Sequence, residues 1–283
     1  MGKSGKSANR GNQQKATEVA PIGKWASRTK WCLALLVVAL GTVGLGGCRE
    51  RDAYLQRVQQ AGVLRVGMDP SWPPFEFVDP ESGQVVGLDV DLGRAIGQRL
   101  GVEVVFVSSG WEGLHSALRA GQFDAIISAL PYDPWRTQGV AYSLSYFNAG
   151  PVIVVHAGEE AIAQPKDLAG RTAHVEFGSE GDVQARRLQK KVDNLHIFPH
   201  DTAREALVAV VEDADSAAIV DAISARLFIR DDGRLKIVGK PLYDELYVIA
   251  VHPQATSLQE AIDQVLIDMR ERGELEALLD RWL

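Results

Sequence analysis

The hydrophobic pattern changes character near residue 48. Before it, Trp31–Gly47 runs for 17 residues without a charge; after it, short apolar runs alternate with amphipathic stretches. Val63-Leu64-Arg65-Val66-Gly67 reads as a short buried strand, followed by a proline-rich loop over 69–74. From Asp89 to Leu100, Val90, Ala95, Ile96 and Leu100 recur near helical spacing. The early carboxylates Asp89 and Asp91 suit a helix N-terminus, and Gly101 suits its end. Strands are predicted over 102–107 and 124–129, with a helix over 111–120 between them. A second series follows Pro151: strands over 152–155 and 172–177, a helix over 182–191, a helix over 204–212, and a strand over 216–220 ending at Asp221. A final strand is expected over 246–251, then helices over 258–282 broken at Gly273. Repeated βα units predict parallel or mixed sheets covered by helices.

The run 31–47 is short for a membrane span, which needs about 20 apolar residues. Its end carries Gly41, Gly44, Gly46 and Gly47, and Arg28 and Lys30 precede it, as in an export signal. Leu45-Gly46-Gly47-Cys48 looks like a bacterial lipobox, which makes Cys48 the expected lipidated first residue of the mature chain. The alternative is an uncleaved signal anchor with Cys48 incidental. The leader ahead of the apolar run is long for a signal peptide. Residues 48–61 then read as a tether.

Charge supports the division. Of 30 basic and 37 acidic residues, seven and one fall within residues 1–47, which leaves the remainder at a net charge of −13. Such a body repels phosphate backbones, so nucleic acid is not an expected partner. Cys32 and Cys48 are the two cysteines, and cleavage before Cys48 leaves no thiol for a disulfide or metal. No His-Glu-x-x-His or Gly-x-Ser-x-Gly string occurs, and no cofactor is expected. His196 and His200 are four apart but separated by Pro199, which favours surface-loop histidines over a metal face. Arg186, Arg187, Lys190 and Lys191 read as a solvated helix face.

Several strings, in order, resemble the polar amino-acid family of bacterial extracellular solute-binding proteins, family 3. They are Leu64-Arg65-Val66-Gly67 with Trp72-Pro73-Pro74-Phe75-Glu76-Phe77, then Gly87-Leu88-Asp89-Val90-Asp91-Leu92, then Trp111-Glu112-Gly113-Leu114. Residues 118–124, Arg136 with Tyr142-Ser143, Pro165 to Gly170, 215–221 and Gly273 to Trp282 continue the series. In 215–221 the family's first Asp is displaced or lost. The resemblance covers about residues 62–283, and the ordered series is more specific than any one string.

The resemblance implies an α/β, periplasmic-binding-protein-like fold, two lobes joined by a two-segment hinge. Lobe 1 would comprise 62–147 and 247–283, and lobe 2 would comprise 152–242. It implies a monomeric, extracytoplasmic, membrane-anchored binding component that hands an amino-acid-like solute to an ABC transporter permease, and not an enzyme. Carried over by position, the expected ligand-binding residues are Asp69, Trp72, Trp111, Ser128, Arg136, Ser179, Glu180 and Asp221. Arg136 would grip a ligand carboxylate with two parallel donors, the alternative being a surface arginine. Trp72 and Trp111 would flank the ligand, though a core position is as plausible for Trp111. Asp221 would meet an amino group or cap the following helix, or both. Departures bear on specificity: Ala129 and Pro131 stand where hydroxyls are usual, Pro131 lacks an N–H, and Glu180 replaces a usual threonine. They point to a cationic ligand, or to one that is not a standard α-amino acid. Two alternatives remain open: a cyclohexadienyl dehydratase on the same scaffold, with Glu180 or Asp182 as proton donor, and a sensor serving a membrane complex.

Overall fold

The structure, a computed structural model, describes residues 52–283. The apolar run 31–47, the lipobox-like string and Cys48 lie outside the described residues. Among those described, no helix is long and apolar enough to cross a membrane.

Where a tether is expected, Tyr54–Ala61 forms helix α1. The reason lies far along the chain. Val58 is buried, and the Asp52 carboxylate accepts the N–H groups of Tyr54 and Ser257 at 3.0 and 2.7 Å. The tether reading is corrected for these residues. Strand β1 (Val63–Met68) follows, then three short antiparallel strands, β2 (Ser71–Trp72), β3 (Glu76–Val78) and β4 (Val85–Val86). Helix α2 (Leu88–Leu100) stops at Gly101, whose φ of +73° favours glycine. Next come β5 (Glu103–Ser108), a 3₁₀ turn over Trp111–Gly113, α3 (Leu114–Arg119), β6 (Ala125–Ile126), a 3₁₀ turn over Pro134–Arg136, β7 (Ala141–Tyr142) and β8 (Phe147–Asn148).

A second series begins with β9 (Pro151–His156), β10 (Thr172–Glu176), α4 (Glu180–Gln189), β11 (His196–His200) and α5 (Ala203–Glu212). It ends with β12 (Ala217–Asp221), α6 (Ala222–Asp231) and β13 (Leu235–Val238). The chain returns through β14 (Leu246–Tyr247) and β15 (Ala250–Val251) to α7 (Thr256–Glu271) and α8 (Glu274–Trp282).

Two five-stranded sheets organise these elements. The first runs β5-β1-β6-β15-β7, with β1 parallel to β5 and β6 and with β15 antiparallel to β6 and β7. The second runs β11-β10-β12-β9-β13, with β10 parallel to both neighbours and β9 antiparallel to β12 and β13. Strand β9 explains its own composition. Val152 and Val154 pack into one apolar cluster, Ile153 and Val155 into another, because both faces of this sheet are covered.

The expected strand over 246–251 is two strands serving different partners. Leu246 and Tyr247 pair with Asn148 and Phe147, whereas Ala250 and Val251 join the first sheet. Between those pairs the chain passes from the crossing into the lobe, which one continuous strand could not do. A strand unseen in the sequence, β11, carries His196 and His200, so the loop reading of these histidines is corrected. His200 Nε2 lies 2.9 Å from His174 Nδ1.

The crossing is tightly built. Asn148 Oδ1 accepts the N–H groups of Gly150 and Glu245 at 3.0 and 3.1 Å, and its amide donates to Asp244 at 2.8 Å. A Cβ on Gly150 would sit 1.8 Å from the Tyr243 carbonyl oxygen, a backbone atom that cannot swing away. Gly150→Ala is therefore expected to lose about 1–3 kcal/mol of folding stability through overpacking. Gly158→Ala, whose Cβ would meet nothing closer than His156 Nδ1 at 3.6 Å, serves as the comparison in urea denaturation. Equal midpoints for the two variants would contradict the packing account.

Candidate functional site

A cavity of about 430 Å³ opens beside the crossing. Two indoles wall it. Trp72 comes from β2 and Trp111 from the turn before α3, and they remain 56% and 44% exposed, so neither is a core tryptophan. Asp69 sets the second wall in place: its Oδ2 accepts the Trp111 N–H at 2.8 Å, while its own N–H donates to Ser128 Oγ at 3.0 Å. Ser128, Ala129 and Pro131 form the floor, and Tyr247 and Glu245 close the hinge side.

Beneath the floor is a buried carboxyl pair. Glu76, 1% exposed, accepts the Ser128 hydroxyl at 2.7 Å. Asp89, wholly buried, takes the Ala129 N–H at 2.5 Å and the Tyr146 hydroxyl at 3.0 Å, both on Oδ2. Asp89 thus spends its carboxylate on tertiary contacts rather than on the start of α2. Glu76 Oε2 and Asp89 Oδ1 meet no other donor, and the two carboxyls interact directly. One proton shared between them satisfies both. Burial, then the Asp89 charge, pushes the Glu76 carboxyl up to about 10. Burial raises Asp89 too, but the Ala129 N–H and Tyr146 hydroxyl pull it back. Burial raises both carboxyls, so the pair retains a proton above the ordinary carboxylate range.

The expected second-lobe residues stand at the starts of two helices. Ser179 caps α4, accepting the Asp182 N–H at 3.2 Å and donating to the Glu176 carbonyl at 2.8 Å. Glu180 follows it, exposed, with the Gln184 amide at 2.5 Å and Arg187 at 4.0 Å. Asp182 is buried and already engaged by Gly178 N–H and Arg186. Asp221 ends β12 and caps α6, accepting the Ser224 N–H at 2.8 Å. Burial, then the charges of Asp221 and Glu180, pushes the Glu245 carboxyl above its ordinary range. Of these three carboxylates, Glu245 lines the cavity.

Of the expected residues, Asp69, Trp72, Trp111 and Ser128 line the cavity, while Ser179, Glu180 and Asp221 stand on the second lobe outside its lining. Arg136 does not line it. The 3₁₀ turn that holds it is capped by Asp133, whose carboxylate also accepts Arg136 Nε at 3.1 Å. Glu76, Glu245 and Tyr247 are lining residues that sequence reading missed. Glu76 had a faint signal, a carboxyl between Phe75 and Phe77. Glu245 had none, because only the return of the chain through β14 brings it to the cavity.

Two α/β lobes on separate sheets, a two-strand crossing, and a cavity beside it define a periplasmic-binding-protein-like fold. The model of bacterial extracellular solute-binding proteins, family 3, matches residues 64–283, and the chain belongs to that family. It is 26% identical to the arginine-binding extracellular protein ArtP of Bacillus subtilis over 255 residues, 89% of this chain and 97% of that one. It is 27% identical to cyclohexadienyl dehydratase of Pseudomonas aeruginosa over 262 residues, 89% of this chain and 91% of that one. A crystal structure of an ancestral cyclohexadienyl dehydratase superposes with a TM-score of 0.71 at 24% identity, covering 81% of this chain and 95% of that one. At that identity the likeness speaks for the fold.

Proposed function

We propose that this chain is a monomeric, lipid-anchored binding component of an ABC importer, held at the membrane through Cys48. It takes an amino acid or similar small polar solute between lobe 1 (62–147 and 247–283) and lobe 2 (152–242). The observation that carries the reading is the cavity beside the crossing, walled by Trp72 and Trp111 and closed on the hinge side by Glu245 and Tyr247. A solute touching both sides binds the closed form better than the open one. The population shifts by that differential affinity, and the closed surface engages the permease. Family membership and the arginine-binding relative support the assignment. A thermal-shift screen across amino acids, polyamines and small carboxylates tests it, because a ligand of the native form raises the melting temperature. No shift from any of them would count against the reading.

One observation favours a second reading, a dehydratase. Glu76 lines the cavity, and burial and the Asp89 charge raise its carboxyl, the direction that suits a general acid. Asp182 is engaged elsewhere, and Glu180 is exposed, so Glu76 replaces them as the candidate donor. Its proton, however, is shared with Asp89, and the dehydratase relative is one among binding proteins. Absence of turnover on prephenate and arogenate would dispose of it.

A further inference from the structure

The charge around the cavity is of one sign. Asp69 lines it from the first lobe and Glu245 from the hinge, while Asp221 and Glu180 on the second lobe lie outside its lining. No lysine, arginine or histidine lines the cavity among the described residues. Glu180 has one distant counter-charge, Arg187 at 4.0 Å, on a side chain 62% exposed. The basic residue expected to grip a carboxylate, Arg136, is drawn back onto Asp133, and its side chain is 57% exposed. The floor residue Pro131 has no N–H to offer an anionic oxygen. The two walls are indoles, whose faces attract cations and repel anions. An anionic group brought here would meet the carboxylates of Asp69 and Glu245 and an electron-rich wall, with no basic side chain in the lining to receive it.

Resting on the reading of this cavity as the solute site, we propose that the solute is an organic cation, an amine or guanidine, and that its carboxylate, if it has one, is dispensable. Asp69 and Glu245, which line the cavity, are the carboxylates that receive the cation, and Trp72 and Trp111 give it an aromatic wall. Recognition then differs from that of an α-amino acid, where the carboxylate sets the orientation.

The test uses pairs of probes that differ only in the carboxylate: agmatine against arginine, and cadaverine against lysine. Titration calorimetry on the full chain in detergent measures each. The expected result is that at least one decarboxylated probe binds within about 10-fold of its parent or tighter, and that Glu245→Gln weakens both members of that pair by about 10-fold. Because Glu245→Gln is nearly isosteric, an unchanged melting temperature separates lost affinity from lost fold. Arginine or lysine binding 100-fold tighter than its decarboxylated partner, with that advantage lost in Arg136→Ala, overturns the proposal and leaves the cavity reading intact. Failure of all four probes to bind overturns it equally. Binding that is indifferent to both Glu245→Gln and Trp72→Ala shows instead that the cavity is not the solute site.

Discussion

Asp89→Ala is expected to cost about 3–5 kcal/mol of folding stability, because several buried polar groups lose their partner at about 1–3 kcal/mol each. The substitution strands the Ala129 N–H, the Tyr146 hydroxyl and the Glu76 carboxyl together, in a place water does not reach. Glu76→Gln should behave differently. An amide keeps a neutral donor for Asp89 and an oxygen for the Ser128 hydroxyl, so the network survives. What changes is the pH dependence. The Glu76 carboxyl lies near 4.5 when exposed and is pushed up to about 10 by burial and the Asp89 charge. Between those values the folded chain holds a proton that the unfolded chain has released. The stability contributed by this group is therefore fully present at low pH and declines as pH rises, by at most about 1.4 kcal/mol per pH unit. Asp89, raised by burial, adds to the same trend near its lower end. Urea denaturation at pH 6, 7.5 and 9 should show the parent losing stability upward while Glu76→Gln stays flatter. Parallel pH profiles would mean that no proton is held between the two carboxyls.

Asp221→Asn is expected to weaken binding of the cationic solute by about 30-fold or more, matching the roughly 2–5 kcal/mol typical of removing one charge from a desolvated pair. Asparagine is the informative replacement because Asp221 has two duties. Its Oδ1 accepts the Ser224 N–H and so starts α6, and asparagine caps a helix about as well as aspartate. The melting temperature of the free protein should therefore hold while affinity falls. Asp221→Ala should lose both, with about 1 kcal/mol of stability attributable to the missing cap. An Asp221→Asn protein that binds like the parent would confine this residue to capping.

Much of this molecule is local and therefore readable. The β-branched run at Val152–Val155 names a strand covered on both faces, and the glycines at 101 and 273 mark helix ends. The order of short motifs resembled the family, and the family model agrees over residues 64–283. Less legible were segments whose conformation depends on distant partners. Tyr54–Ala61 is polar on its own account and becomes an anchored helix because Ser257 and the Asp52 carboxylate hold its start. Residues 246–251 look like one strand, but Leu246 and Tyr247 answer to β8 while Ala250 and Val251 answer to the first sheet.

The site divides the same way. Trp72, Trp111 and Asp69 sit in loops whose proline and turn chemistry announce themselves in one dimension. Hydrophobic periodicity alone determined that the chain builds covered α/β sheets, because burying apolar side chains at a fixed period is a property of neighbours in sequence. Only the folded molecule decided that Glu76 and Asp89 share a proton, that Glu245 joins the cavity, and that Arg136 turns to Asp133. Electrostatic pairing acts over a few ångströms of space, and residues 3 or 100 positions apart are equally available to it once the chain has closed.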